Sequence, residues 1–444
     1  MGQNGIRAAA VLAAGMGLSA CVGEDPMGAG FVSRLAGPTA APEAEAAAFA
    51  GTDTTYDAKL SAESPVIQGL MARRSVLPSG SSYDRVAGAV LAANSRAAES
   101  ELRAARLRAE AASKNWLPTL GPQISLTSLS SIVANIVVDQ VLFDNGRKKG
   151  ERAFAKADVE VAAVALSADT NDRVADALGL YLSAAEGRES AALEAGVLKD
   201  MQHFEYIMSE RVKGGVSDMS DLNIIRAKLA EIRARRDAAA EAERTALAEL
   251  NAMAAEPLDA VRGVPELAVS VAAAQPLTVT KAGAEKTRAI AEAQIERGGS
   301  LPGVSIGGTI GEGSTLGLNV GGAQLGLGTP ARLRAIEETK EAAARQVAQA
   351  TEDASRTLAR LDSQLAAKRR QAAEAQGLTA QAKANLDLFQ QQYGAGRRQV
   401  MDVVGVYETF AARQAAEIRL KYEAKRLEVE IARLQGVLAE GTAI

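Results

Sequence analysis

Cys21 and His203 are the only cysteine and the only histidine in 444 residues. One of each cannot make a disulfide or a multi-ligand His/Cys metal site. A cysteine–histidine catalytic pair would need both in one place, and nothing in the sequence brings them together. His203 lies among helix-face residues with no His, Cys or paired carboxylate near it, and reads as a partly buried structural side chain. Gly326-Leu327-Gly328-Thr329-Pro330-Ala331 mimics a dinucleotide fingerprint. A helix of about sixty residues follows it, where a second strand with an acidic residue belongs. With 50 basic and 54 acidic residues and a net charge of −4, no basic footprint argues for nucleic acid. No nucleophile, base and orienting group form a constellation. The sequence therefore predicts no enzyme, no cofactor and no metal. What remains is one thiol at the end of an apolar run and charge placed beside glycine at two turns.

The thiol comes first in the chain. Arg7 precedes a short apolar run, Ala8 to Ala20, that ends Leu18-Ser19-Ala20-Cys21. The run is too short for a membrane-spanning helix, which needs ~20 residues, and has the size and flanks of a secretory signal. Its end resembles the lipobox of bacterial lipoproteins, in which Cys21 becomes the acylated, palmitate-bearing first residue after cleavage. Residue 22 is Val rather than the Asp that resembles an inner-membrane retention signal, so the address reads as outer membrane. Residues 1–20 are thus expected to be a lipoprotein signal peptide. Residues 21–82, rich in Gly, Ala, Pro and Ser, are expected to be a lipidated tether, mobile or draped over the surface.

The elements that must position the charged turns are written twice. Leu117-Pro118 recurs as Leu301-Pro302 and Gln140 as Gln324, both 184 positions later. Gly215 and Asp221 recur as Gly396 and Asp402, both 181 later. Such a steady offset implies a tandem repeat, with copies at 83–254 and 279–438, an equatorial linker at 255–278 and a tail at 439–444. Each copy reads as a leading helix, two strands, a long helix, a Gly-containing turn and a return helix. Aromatics make up only 3% of the chain, and its many Ala residues favour long, closely packed helices over a thick core. Leu193, Val197, Met201, Phe204 and Met208 keep heptad-like spacing, as do Leu378, Ala382, Leu386, Phe389 and Tyr393, so one seam of each long helix faces a partner. The first long helix, Arg147 to Val212, is ~100 Å long at ~1.5 Å per residue. The shorter leading and return helices together match that length, which predicts that each long helix packs against two shorter ones stacked end to end.

The strand runs, at 118–143 and 303–328, alternate. Val304, Ile306 and Ile310 interleave with Ser305, Gly307 and Thr309, and Leu316, Leu318 and Val320 with Gly317 and Asn319. Gly321-Gly322 is expected to shift the phase, as a bulge would, toward Leu325 and Leu327. Ten-residue alternating strands with one apolar and one small or polar face are the signature of a membrane β-barrel. Trp116 and Phe143 fall at the same rim, where an interfacial aromatic girdle lies. Four strands cannot close a barrel, which takes about eight or more, and open edges in lipid leave backbone groups unpaired. The barrel must be shared between chains, in two, three or more copies. The rival reading is a lipid-anchored periplasmic coiled-coil protein, structural or adaptor, whose hairpins are soluble caps and which has no pore.

These pieces together resemble the TolC family of outer-membrane factors, over about Tyr83 to Leu438. The matching residues are Trp116-Leu117-Pro118, then Leu142-Phe143-Asp144-Asn145-Gly146-Arg147, and the two tips. The tips run from Val212-Lys213-Gly214-Gly215 to Asp221-Leu222 and from Tyr393-Gly394-Ala395-Gly396-Arg397-Arg398 to Asp402-Val403. The resemblance implies a mainly α fold in which long coiled-coil hairpins form a periplasmic α-barrel and four strands per protomer join an outer-membrane β-barrel. It implies a homotrimer, twelve strands and twelve tunnel helices from three copies. It further implies the exit duct of a tripartite efflux pump or type I secretion system, partnered by a periplasmic adaptor (a membrane fusion protein) and by an inner-membrane efflux or ABC transporter. By the same resemblance Gly214, Gly215, Val216, Gly396 and Arg397 would dock the adaptor. Tyr393 and Arg398 of one hairpin, with Asp221 and Ser220 of the other, would hold the periplasmic gate, and Asp402 would add negative charge there. The sequence departs from the family at Leu327-Gly328-Thr329-Pro330, in place of a Phe-Asp-Gly junction, and at Gly405, in place of a second tip carboxylate. Cys21→Ser should abolish metabolic acyl labelling and spare transport, since a barrel is fixed in the membrane without a lipid.

Overall fold

The computed structural model describes residues 55–93, 97–128, 131–270, 274–310, 314–322 and 326–443. The expected signal, Cys21 and the first part of the tether lie outside the described residues. Two helices open the described chain, α1 (Thr55–Glu63) and α2 (Pro65–Met71). The Ser64 hydroxyl caps the second by accepting from Ile67 N, with Pro65 in the first turn, where a missing N–H costs nothing. Leu60, Ile67 and Leu70 are buried against Val159, Val164 and Leu166. The tether expected through residue 82 therefore gives way to packed structure from residue 55. Its periodicity is too short-lived to read in sequence, because among the described side chains each helix buries only one or two apolar residues, Leu60 in the first and Ile67 and Leu70 in the second.

The leading helix is two pieces, α3 (Ser82–Ala92) and α4 (Ala97–Ser113), rather than one. Strands β1 (Thr119–Ser128) and β2 (Ser131–Phe143) follow, then the long helix α5 (Arg147–Lys213) of 67 residues and its return α6 (Met219–Met253). After the linker come α7 (Leu277–Gly299), β3 (Pro302–Ile310), β4 (Thr315–Gly322), the 66-residue α8 (Thr329–Gly394) and α9 (Val400–Gln435). Helix α5 packs along α6, α7, α3 and α4, and α8 along α7 and α9, so each long helix is flanked by shorter ones. No helix among the described residues is long and apolar enough to cross a membrane.

Gly146, at φ +84, is the N-cap of α5 and provides no side chain. Asp144 reaches over it instead, accepting from Gly146 N (3.1 Å) and Lys148 N (2.5 Å). Asn145 is the one non-glycine residue at positive φ among the described residues, a conformation Asn tolerates because its short amide bonds locally. That amide donates to Pro302 O at 2.8 Å, tying the first strand-to-helix junction to the second hairpin. Gly328 caps α8, and Thr329 Oγ1 accepts from Gly326 N at 3.1 Å.

Of the four apolar clusters among the described residues, the two largest hold the waist and the tips. Around the waist Tyr83, Val174, Leu178, Tyr181, Leu250 and Tyr422 bury together with Leu258, Val261 and Leu267 of the linker and Leu438 beyond α9. The linker thus contributes core residues as well as connection. Polar ties finish this layer. Tyr181 OH donates to Gly263 O (2.6 Å), and buried Asn171 accepts from Leu438 N (2.8 Å) while donating to Ser167 O (2.8 Å). The second core lies toward the hairpin tips, where Val197, Met201, Phe204 and Met208 of α5 meet Leu222, Ile225, Leu229 and Ile232 of α6. The seam of α8 is less covered, with Leu386 buried and Leu378 43% exposed. Close approach of α5 to α6 requires Gly187, where an added Cβ would lie 2.8 Å from Ala239 O and from Glu243 N. Both are backbone atoms and cannot rotate away. Gly187→Val should force the hairpin apart and cost about 1–3 kcal/mol as an overpacked site does, read as faster limited proteolysis of α6.

Candidate functional site: a one-faced sheet and two charged tips

The four strands form one antiparallel sheet in the order β1-β2-β3-β4. Its register sorts the side chains. Ile136 opposes Pro122 and Ile310; Val138 opposes Leu120 and Gly308; Ile306 opposes Gln140 and Leu318; Val304 opposes Val320. Directly opposed residues share a face, so one face is almost wholly apolar. The other carries Thr119, Asp139, Ser305, Asn319, Thr309 and Thr315, with Val137, Val141 and glycines between. Ser305 Oγ lies 3.4 Å from Asp139 Oδ2, and Thr309 and Thr315 hydroxyls are 2.8 Å apart. The apolar face is open, with Leu316, Leu318 and Val320 81%, 64% and 72% exposed. Burying such side chains is worth roughly 1.5–3 kcal/mol each, so a face this large calls for an apolar neighbour. Strands β1 and β4 stand at the edges, with no partner on their outer sides among the described residues.

Trp116 and Phe143 are 62% and 58% exposed at the helical end of this sheet. Gln140 Nε2 donates to Trp116 O at 2.8 Å, bracing the residue before β1 against β2. The described part of β4 runs to Gly322, at φ +118; the expected phase shift toward Leu325 lies outside the described residues, and Leu327 stands fully exposed in a turn. Bulges occur between Leu126 and Ser128 and between Val141 and Phe143.

The two tips have one geometry. Gly214 N donates to Glu210 O, Gly215 N to Val212 O and Val216 N to Arg211 O. Ala395 to Gln391, Gly396 to Tyr393 and Arg397 to Gln392 repeat every bond 181 residues later. Gly215 (φ +71) and Gly396 (φ +72) supply the left-handed residue that closes each helix. The return helices start on Asp218 and Gln399, which places Asp221 and Asp402 at the third position of each. There a carboxylate complements the helix dipole. Asp402 completes a capping box with Gln399, accepting from its backbone N at 3.2 Å. Ser220, Gly214, Gly215, Val216, Gly396 and Arg397 are exposed, and Asp221 and Tyr393 half-buried.

The structure does not join Arg398 to Asp221 within one chain. Arg398 Nε donates to Gln392 Oε1 at 3.0 Å, and its guanidinium carbon lies 4.5 Å from the Phe389 ring centroid. What the sequence did not suggest is how the hairpins are clasped above the tips. Tyr407 OH donates to Asp200 Oδ2 at 2.6 Å and stacks edge-on against Phe204, and Lys228 pairs with Glu408 at 2.5 Å. Lys228 and Glu408 line a charged groove of about 620 Å³, together with Glu194, Glu231 and Arg235. No local pattern identifies such pairs, since each joins residues about 180–207 positions apart. His203 is exposed rather than partly buried, its ring 6.3 Å from that of Phe204.

No group of three or more potential metal ligands occurs among the described residues. Burial, then the hydrogen bond to Asp200, push the Tyr407 phenol well above its ordinary value. A raised acid favours the native state while it stays protonated, and that advantage is lost as pH climbs past about 10, where the unfolded tyrosine ionises. Denaturant midpoints should therefore drop between pH 9 and 11, and drop less in Tyr407→Phe.

No family model matches the chain, and no curated protein matches it in sequence. Solved structures match it in fold. A membrane protein from Pseudomonas aeruginosa superposes with a TM-score of 0.69 at 16% identity, covering 81% of this chain and 91% of that one. The CmeC outer membrane channel of Campylobacter jejuni gives 0.67 at 13% identity, over 81% and 87%. The MtrE outer membrane channel of Neisseria gonorrhoeae, in its open state, gives 0.66 at 16% identity, over 83% and 95%. The TolC-type fold implied by the strand-junction and tip motifs is the fold the chain adopts.

Proposed function

We propose that the chain is a TolC-family outer-membrane channel, a passive duct from periplasm to exterior serving a tripartite efflux pump or a type I secretion system. The observation that carries this is the exposed apolar face of a four-stranded sheet with both edges open. Backbone groups at such edges, if lipid-exposed, are unpaired at several kcal/mol each. Three copies would close a twelve-stranded barrel in which β1 of one protomer meets β4 of the next, the apolar faces meet lipid, and Asp139, Ser305 and Asn319 face a wet lumen. A soluble coiled-coil adaptor without a pore gives no occupant for the apolar face. The matched backbone bonds of the two tips support descent from a tandem duplication.

In this reading the helical rods form the periplasmic tunnel, and the tips form its gate. Asp221 and Ser220 of one hairpin meet Tyr393 and Arg398 of another, with Asp402 adding negative charge. Arg398 resting on Phe389 suits this role. A cation–π contact at an exposed site is worth about 0.5–1 kcal/mol, close to an exposed ion pair at ~0–1 kcal/mol, so Arg398 exchanges partners at little cost. Threefold repetition gives a few kcal/mol, which an adaptor binding the open state more tightly can supply. The adaptor docks at Gly214, Gly215, Val216, Gly396 and Arg397, and the inner-membrane transporter selects the cargo. Cys21 carries the lipid that assists sorting or assembly in the outer membrane.

Purified protein in planar bilayers should form cation-preferring channels, seen as a reversal potential in asymmetric salt. Asp221→Ala with Arg398→Ala should raise single-channel conductance severalfold. A protein that inserts no channels would refute the duct, and an unchanged conductance in the double variant would refute the gate.

A further inference from the structure

The chain changes charge abruptly where the sheet meets the helices. Within the strands the only charged residue is Asp139, on the polar face. In the six residues that adjoin the sheet at its first three helical connections stand five cations, Lys114, Arg147, Lys148, Lys149 and Arg297, and within the twelve residues that follow β4 stand two more, Arg332 and Arg334, in the opening turns of α8. Only two carboxylates, Asp144 and Glu296, accompany them. The hairpin loops at the far end, Ser128 to Ser131 and Gly311 to Thr315, contain no cation at all.

Helix electrostatics do not account for this. Cations disfavour a helix N-terminus, yet α5 and α8 have no acidic residue in their first turns. Nor do ion pairs. Arg147 and Lys148 share Glu151 (3.2 and 3.6 Å), Lys114 holds Glu110 (3.0 Å), and Asp144 is spent on capping. Lys149, Arg297, Arg332 and Arg334 are exposed, with no ion-pair partner among the described residues. They lie just beyond an exposed apolar rim of Trp116, Leu117, Leu142, Phe143 and Leu327.

We propose that this collar binds the phosphodiester headgroups of anionic phospholipids in the leaflet on the helical side of the membrane. The apolar rim sits at the acyl boundary, and the cations one turn below it sit at headgroup depth, where each long side chain can reach a phosphate. The inference rests on the channel reading, because it needs the sheet in lipid.

Trp116, the only tryptophan, is the probe. It neighbours Asn115, whose amide donates to Lys148 O at 3.1 Å and whose Oδ1 accepts from Arg152 at 2.7 Å. The full-length protein is reconstituted in phosphatidylcholine bilayers doped with brominated phosphatidylglycerol or with brominated phosphatidylcholine. Phosphatidylglycerol should quench Trp116 with a relative association constant about fivefold higher or more, the effect of one or more cations at the surface. Lys149→Gln with Arg332→Gln and Arg334→Gln should abolish the preference, and Lys149→Arg with Arg332→Lys and Arg334→Lys should keep it. Equal quenching by both lipids in the unaltered protein, or a preference that survives the neutral triple variant, overturns the collar. Absence of quenching by either lipid overturns the membrane sheet itself, and with it the collar.

Discussion

An unpaired backbone amide has nowhere to go in hydrocarbon, and the channel reading rests on that constraint. The sheet made by β1 to β4 is internally complete, with register running across three pairings. At its two margins the ladder stops. Exposed Leu316, Leu318, Val320, Leu120 and Ile310 cover one face, so the same surface that avoids water also exposes edges that lipid cannot satisfy. The proposed assembly would resolve both problems at once.

The rest of the chain supplies reach and alignment. The 67- and 66-residue helices are too long to be stabilised by a single partner, so shorter helices cover them in sequence and the waist core locks the joints. That core draws on distant segments: α3, the linker through Leu258 and Leu267, and Leu438 beyond the last long helix. Arg73 adds to the closure by donating to Gln435 O and Gln275 O. Toward the tips the fastening changes character. Tyr407–Asp200 and Lys228–Glu408 clasp the two hairpins through side chains, which suits the proposed gate at that end.

The tips themselves carry two meanings in the same residues. Asp402 belongs to a capping box, and Asp221 occupies the equivalent position of α6, so either carboxylate has a reason to exist in a helix that gates nothing. Their proposed role depends on three copies meeting at one axis, where charge that is unremarkable on a single hairpin becomes a ring. The basic collar depends on the same kind of context, being merely exposed side chains until a bilayer surrounds the sheet.

Local periodicity made much of this legible. Alternation in β3 and β4 marked the faces that the register bears out, and the heptad-like run from Val197 to Met208 marked a seam that is buried. The glycines at 215 and 396 announced turns because positive φ admits few other residues. The sequence by itself determined which faces are apolar and where helices and strands begin and end, to within a few residues, since those depend on neighbours three or four positions away. Only the tertiary structure decided what each face meets: that α1 and α2 dock on α5, that Asn145 reaches Pro302, that Asn171 holds Leu438, and that Tyr407 finds Asp200. These outcomes turn on contacts between residues often a hundred or more positions apart, where the free energy belongs to a pair and no pattern in either segment names its partner.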